Sequence, residues 1–164
     1  MTPEGLRAAN GSDAALLEAL HAPCFADEPW SAAAMATLLE STGVFGLIGG
    51  NDPETPEPAE GFILCRIAAD EAEVLTLAVL PAARRAGLGA RLLGGAMAWA
   101  VACGVTAFFL EVAEDNAAAL ALYRGAGFEA VGRRLGYYRR AGGGTAAALV
   151  LSCRLDPPLT PSRP

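Results

Sequence analysis

The sequence predicts an α/β fold of the mixed α+β kind, a partly parallel sheet covered by helices, and three observations lead there. Strand and helix patterns alternate through residues 72–124, which demands parallel pairing with helical crossovers. Hairpin patterns flank that stretch and make the sheet mixed. The chain has 164 residues, 53% of them hydrophobic, enough for one domain with a sizeable core. Residues 1–155 are therefore expected to form that domain, with 156–164 (DPPLTPSRP) as a frayed tail.

The elements follow in order. A strand-like start at residues 5–9 runs into Ser12-Asp13 and an apolar pattern of helical spacing, where Ser12 can cap a helix. After Asp27-Glu28-Pro29-Trp30, Ser31 can cap a second helix over 32–39. Val44–Ile48 and Phe62–Ile67 read as strands joined by an exposed loop rich in Gly, Pro and acids. A mostly apolar strand over 72–80 ends at Pro81. Arg84-Arg85-Ala86-Gly87-Leu88-Gly89 then opens a helix reaching about Cys103. An apolar strand follows over 106–112, a helix over 116–124 stopped by Gly125 and Gly127, and strands near 129–135 and 145–155.

Composition excludes several classes. Apolar runs are broken by charge, Gly or Pro well short of the ~20 residues a bilayer span needs. The opening MTPEGLRAANGSD lacks a basic stretch followed by an apolar core, so a cytoplasmic setting is expected. Cys24, Cys65, Cys103 and Cys153 are widely spread with only His21 to join them, which argues against a metal site and reads as reduced thiols. Net charge is −6 and all 12 basic residues are Arg. Residues 1–73 carry 13 of the 18 acids and only Arg7 and Arg66, whereas residues 84–140 carry eight Arg against four acids. This balance disfavours nucleic acid and suits a small polyanion on the second half and a basic partner on the first.

The chemistry concentrates between residues 77 and 138. A strand entering R-R-A-G-L-G and then a helix leaves free backbone N–H groups at a helix N-terminus, where the helix dipole favours an anion and glycine permits close approach. The spacing matches neither G-x-x-x-x-G-K-[ST] nor G-x-G-x-x-G, which removes the usual nucleotide sites. Near the end of the interior strand, Glu111 either points into water or stands beside Phe109 and Leu110, where partial desolvation would raise its proton affinity and suit a general base. Asp115 can cap the next helix, and Asn116 and Tyr123, about two turns apart, share one face of it. The phenol of Tyr123 can serve as a proton donor. His21 reads as an ordinary helix-end histidine. Trp30 either lines a groove or anchors its loop, Tyr137 and Tyr138 suit a groove entrance, and Arg133, Arg134, Arg139 and Arg140 read as a solvated face.

The succession L-T-L-A-V-L-P, R-R-A-G-L-G, F-L-E-V and D-N-A-A-A-L-A-L-Y-R-G-A-G-F resembles the GCN-five-related N-acetyltransferases (GNAT), over about residues 60–155. F-L-E-V-x-x-x-N-x-x-A-x-x-L-Y-x-x-x-G-F with G-R-R-L-G-Y-Y, and the early H-A-P-C-F with P-W-S, are similar to the RimI-type branch, which acetylates the N-terminal alanine of a ribosomal protein. Ala113-Glu114 departs from it where an arginine and a small residue are expected. The resemblance implies a mostly antiparallel sheet of six to seven strands splayed into a V, with about four helices. It implies acetyl-coenzyme A in the V: backbone groups of Leu77, Ala78 and Val79 on the pantetheine arm and thioester, Arg84, Arg85, Ala86, Gly87, Leu88, Gly89 and Ala90 on the pyrophosphate, and Asn116 as a further contact. Glu111 would be the base, Tyr123 the acid, and Trp30, Tyr137 and Tyr138 would line the acceptor site. The acceptor it implies is a protein N-terminus, that of a basic ribosomal protein, with no membrane or nucleic-acid partner. A free small amine as acceptor, or a silent coenzyme-A-binding module, are the alternatives.

Overall fold

The computed structural model describes residues 2–52, 54 and 58–156. The frayed tail expected at the C-terminus lies outside them beyond Asp156, as does part of the loop before the third strand. Seven strands and four α-helices follow in the order β1 (Leu6–Ala8), α1 (Ala14–His21), α2 (Ala32–Glu40), β2 (Val44–Gly49), β3 (Gly61–Ala68), β4 (Glu71–Val79), α3 (Leu88–Ala102), β5 (Ala107–Ala113), α4 (Ala117–Gly125), β6 (Glu129–Arg139) and β7 (Thr145–Arg154).

The strands form one sheet in the order β1-β2-β3-β4-β5-β7-β6. Every pairing is antiparallel except β4 with β5. That parallel pairing is short: Glu71, Ala72 and Glu73 meet Ala107, Phe108 and Phe109. Both strands continue, to Val79 and Ala113, without pairing further with each other, so the sheet opens into the expected V. A bulge helps to part them. Leu64 pairs with Thr76 and Cys65 with Val74, leaving Leu75 as the extra residue, and such an insertion bends and twists its strand.

Helices cover both faces. Leu17, Leu20 and Met35 of α1 and α2 pack with Ile48, Phe62, Leu64 and Ala78 on one face; Leu88, Leu92, Leu93 and Ala96 of α3 pack with Leu47, Ile63, Phe108 and Leu151 on the other. Each such fully buried aliphatic side chain contributes roughly 1.5–3 kcal/mol of apolar transfer free energy. Gly95 lets α3 settle on the sheet, because a Cβ there would lie 2.9 Å from Leu47 Cδ1 and 3.0 Å from Leu6 Cδ1. Arg91 then donates from Nη1 to Gly50 O (3.1 Å) and from Nη2 to Gly5 O (3.3 Å), tying α3 to the chain around β1 and β2.

Two caps differ from the sequence expectation. Asn10, not Ser12, caps the first helical segment: its side-chain oxygen accepts the Ser12 N–H at 3.0 Å, and Asp13 returns the bond to the Asn10 N–H at 2.9 Å. The carboxylate of Asp13 also receives two Arg7 bonds, at 3.0 and 2.9 Å, which join β1 to α1 and hold its pKa below the usual carboxylate value. Asn116, not Asp115, caps α4 by accepting the Ala119 N–H at 3.2 Å, because Asp115 is turned outward to pair with Arg140. Ser31 caps α2 as expected. The strand beginning at Glu129 reaches Arg139, so Tyr137 and Tyr138 belong to a long β6–β7 arm. The four cysteines are free thiols.

Candidate active site

Where β4 and β5 part, a cavity of about 870 Å³ opens against α4, the α1–α2 connection and the β6–β7 arm. Glu111, Tyr123, Asn116, Leu77, Trp30, Tyr137 and Tyr138, from five separate segments of the chain, all line it. Cys24, Asp27, Glu28 and Thr76 line it too, and the sequence patterns gave none of them a place in the site. They lie on segments that meet only when α1 and α2 fold over β4.

Strand pleating sets the environment of Glu111. Phe108, Leu110 and Val112 are buried on one face of β5, which turns Glu111 to the other. Leu110 therefore points away from it, and Phe109 shares its face. The Glu111 side chain keeps 31% of its exposure, and Arg134 Nη2 lies 3.2 Å from its Oε1. Arg133, Arg134 and Arg139 are exposed, as expected of a solvated face, and Arg134 belongs to a set that is also paired. Arg133 donates to Glu114 Oε2 from Nε (2.9 Å) and Nη2 (2.7 Å), and Arg140 pairs with Asp115. These pairs fasten the β6–β7 arm to the end of β5 and the start of α4. Ala113-Glu114, the departure from the RimI-type pattern, thus provides the partner of Arg133.

Tyr123 projects from α4, is 7% exposed, and packs edge-on to Phe128 with ring centroids 5.9 Å apart. Burial pushes its phenol up to about 12, so it stays protonated at neutral pH. Tyr137 and Tyr138 meet edge-on at 5.1 Å, with Arg134 over the first ring and Arg140 over the second. Burial, then the nearby Glu111, raises the pKa of Tyr138. His21 closes α1 but is no ordinary surface histidine. It is 1% exposed, stacked between Phe25 (4.3 Å) and Trp30 (5.0 Å), and its Nδ1 accepts the Trp30 N–H at 3.2 Å. Trp30 therefore both anchors its loop and lines the cavity.

The glycine-containing loop lies beyond the far end of β4. Arg85 (φ 67°) and Gly87 (φ 87°) take left-handed backbone conformations, and a Cβ on Gly87 would meet nothing within 4 Å. Within α3 the Arg91 N–H donates to Gly87 O, so the amides of Leu88, Gly89 and Ala90 stand in the unbonded first turn. On β4, Leu80 N–H donates to Glu60 O at 2.8 Å. Antiparallel ladders alternate residue by residue, so the backbone of Ala78 is spent on β3 while Leu77 and Val79 turn theirs toward the opening. Val79 O shows this directly, accepting from Arg84 Nε at 2.9 Å and from Cys24 Sγ at 3.3 Å. The expected Ala78 contact is thus not offered by its backbone, and Arg84 Nε is engaged within the chain.

Residues 15–128 match the model of the Acetyltransferase (GNAT) family. The N-alpha-acetyltransferase RimI of Mycobacterium tuberculosis is 39% identical over 142 residues, 85% of this chain and 87% of that protein. An uncharacterized protein of Mycobacterium leprae is 41% identical over 118 residues, 71% of this chain, of whose length the match spans 32%. The [ribosomal protein bS18]-alanine N-acetyltransferase of Salmonella typhimurium is 39% identical over 82 residues, 50% of this chain and 55% of that protein. Among solved structures, the ribosomal-protein-S18-alanine N-acetyltransferase from Escherichia coli superimposes with a TM-score of 0.76 at 25% identity, covering 92% of this chain and 94% of that one. Arabidopsis thaliana NAA60 in complex with a bisubstrate analogue gives 0.77 at 19% identity, covering 93% and 98%. The family match over most of the chain, together with a mixed sheet that opens between β4 and β5, places this chain in the Acetyltransferase (GNAT) family.

Proposed function

We propose that the chain is an acetyl-coenzyme-A-dependent N-acetyltransferase whose acceptor is a protein N-terminal α-amine, that of a ribosomal protein beginning with alanine. The observation that carries the reading is the convergence of Glu111, Tyr123 and the outward face of Leu77 on one cavity at the β4–β5 opening. Similarity to RimI of Mycobacterium tuberculosis over most of both chains supports the acceptor class.

The residues present fit the co-substrate. The free amides of Leu88, Gly89 and Ala90, with the uncrowded Gly87 before them, would take the pyrophosphate, joined by Arg84, Arg85 and Ala86. The outward backbone of Leu77 and Val79 would hold the pantetheine arm, and Asn116, whose Oδ1 is spent on the cap, would offer its Nδ2. When bound, acetyl-coenzyme A supplies an acetyl group activated as a thioester.

Glu111 takes up the proton that the amine gives off as its nitrogen bonds to the acetyl carbon. An exposed α-amine has a pKa near 8, so part of it is already neutral at pH 7. Tyr123, kept protonated by burial, hands its proton to the departing thiolate. An outward backbone N–H of Leu77 or Val79 would stabilise the charge that develops on the thioester oxygen, an effect that can reach several kcal/mol. Trp30, Tyr137 and Tyr138 line the side from which the acceptor enters, and Asp27 and Glu28 give that side a negative character suited to a basic partner.

The test is thiol release from acetyl-coenzyme A, measured with short peptides differing in their first residue and with a panel of small amines. Turnover with alanine-first peptides well above that with the amines is the expected result. Turnover with the free amines alone would move the acceptor to the small-molecule class, and none with any acceptor would leave a silent binding module.

A further inference from the structure

His21 and Thr76 are two buried polar side chains on the wall of the cavity to which no role has been given. The His21 Nδ1 accepts the Trp30 N–H, so the ring proton sits on Nε2, and that N–H is the polar group left to the cavity. Burial lowers the His21 pKa, in keeping with a neutral ring. Thr76 is 7% exposed, and its Oγ1 is buried with no hydrogen-bond partner among the described residues. Buried hydroxyls are seldom left so unless a ligand or water completes them.

The two residues stand on one side of the sheet. Thr76 faces Leu64 across the β3–β4 ladder, and Ala78 faces Phe62. Leu64, Phe62 and Ala78 belong to the core under α1 and α2, and the His21 ring lies against Phe62 with centroids 6.4 Å apart. Here, then, a histidine and a threonine stand on one face of the sheet and both line the same cavity.

We infer that His21 and Thr76 form a pair of donors for the carbonyl oxygen of the acceptor's first residue, making the site selective for an α-amine that adjoins a carbonyl. A carbonyl oxygen has two lone pairs and can accept from both. An alkylamine has no such oxygen, and a site built to bond one rejects a substrate that lacks it. The inference rests on the peptide-acceptor reading above and makes it more specific.

The test compares an alanine-first peptide with its analogue in which the first peptide bond is a trans-alkene, which keeps the α-amine and the shape but has no oxygen. For the parent, KM for the alkene should exceed that for the peptide by about tenfold, the scale of losing well-made hydrogen bonds. Thr76→Val, which keeps the shape, and His21→Asn, which keeps an acceptor in the place of Nδ1, should each shrink that ratio severalfold. His21→Gln, with its amide N–H in the place of Nε2, should restore much of it. Melting curves and the acetyl-coenzyme A melting shift of each variant report whether the fold and the other site are intact. Equal KM values for the two compounds in the parent, or a ratio that the variants leave untouched, would overturn this inference alone. A parent that acetylates neither compound would overturn the peptide-acceptor reading and this inference with it.

Discussion

Arg134 on β6 reaches across β7 to Glu111 on β5, with Nη2 3.2 Å from Oε1, and so joins the arm of Tyr137 and Tyr138 to the carboxylate proposed as the base. Both side chains keep solvent contact, at 58% and 31% exposure, and an ion pair of that kind contributes at most about 1 kcal/mol to stability. Arg134→Gln should therefore lower the unfolding free energy in urea by less than that amount. A larger loss would mean that the arm is a structural support of the sheet.

The first turn of α3 gives a binding prediction. A Cβ on Gly89 would meet Leu122 Cδ2 at 3.4 Å and Val79 Cγ2 at 3.9 Å, both ordinary contacts, so Gly89→Glu should fold while placing a negative side chain where the pyrophosphate is proposed to bind. Acetyl-coenzyme A should raise the parent's melting temperature by an amount that grows with the logarithm of its concentration above Kd, and this variant should lose that rise. Gly87→Ala separates strain from charge. Its φ of 87° costs an L-residue about 1–2 kcal/mol, so stability should fall while part of the ligand-dependent shift remains. An undiminished shift in Gly89→Glu would remove the loop from the binding site.

Acid should loosen the α1–α2 end. Burial holds the His21 pKa below its ordinary 6.5, so the unfolded chain takes up the proton more readily than the folded one. The stability this provides is complete above pH 6.5 and is lost as pH falls below it. Melting temperatures taken from pH 7.5 down to 5 should decline more steeply for the parent than for His21→Asn. Parallel declines would show that the ring is not buried as a neutral group.

Alkali should destabilise the opposite side of the sheet. Burial raises the Tyr123 phenol from its ordinary 10.0 to about 12 and raises the Cys65 thiol as well, so each group holds its proton more tightly when folded. The Tyr123 contribution is fully present below pH 10 and lost as pH rises toward 12; that of Cys65 begins to fall above its ordinary 9.0. Tyr123→Phe should therefore show a smaller loss of melting temperature between pH 8 and pH 11 than the parent does.

Much of this architecture is legible along the chain because it is written in local periodicity. All seven strands and four helices stand where apolar spacing, Ser31, Pro81 and the glycines around residue 126 predict them. The two displaced caps have a simple origin. Asn116 stands next to Asp115, which Arg140 draws into an ion pair, and Asn10 closes a capping box with Asp13 that leaves Ser12 as a donor of its N–H rather than as the cap. The partner of Glu111 was not legible, because its sequence neighbours are apolar and the arginine that meets it comes from another strand. His21 and Thr76 could not have been linked beforehand. Only the packing of α1 on β3 and β4 brings the end of a helix and the middle of a strand to one wall.

Acetylation of an alanine-first peptide by the parent, Glu111→Gln and Tyr123→Phe, with acetyl-coenzyme A saturating, tests the central claim most directly. The parent should release thiol and acetylate the α-amine, and each variant should turn over roughly 100-fold or more slowly while keeping the parent's ligand-dependent melting shift. In Glu111→Gln the deficit should shrink as pH rises above the amine's pKa near 8, because less acceptor then needs deprotonating. Variants that bind acetyl-coenzyme A normally and acetylate the peptide at the parent rate would contradict the roles given to Glu111 and Tyr123.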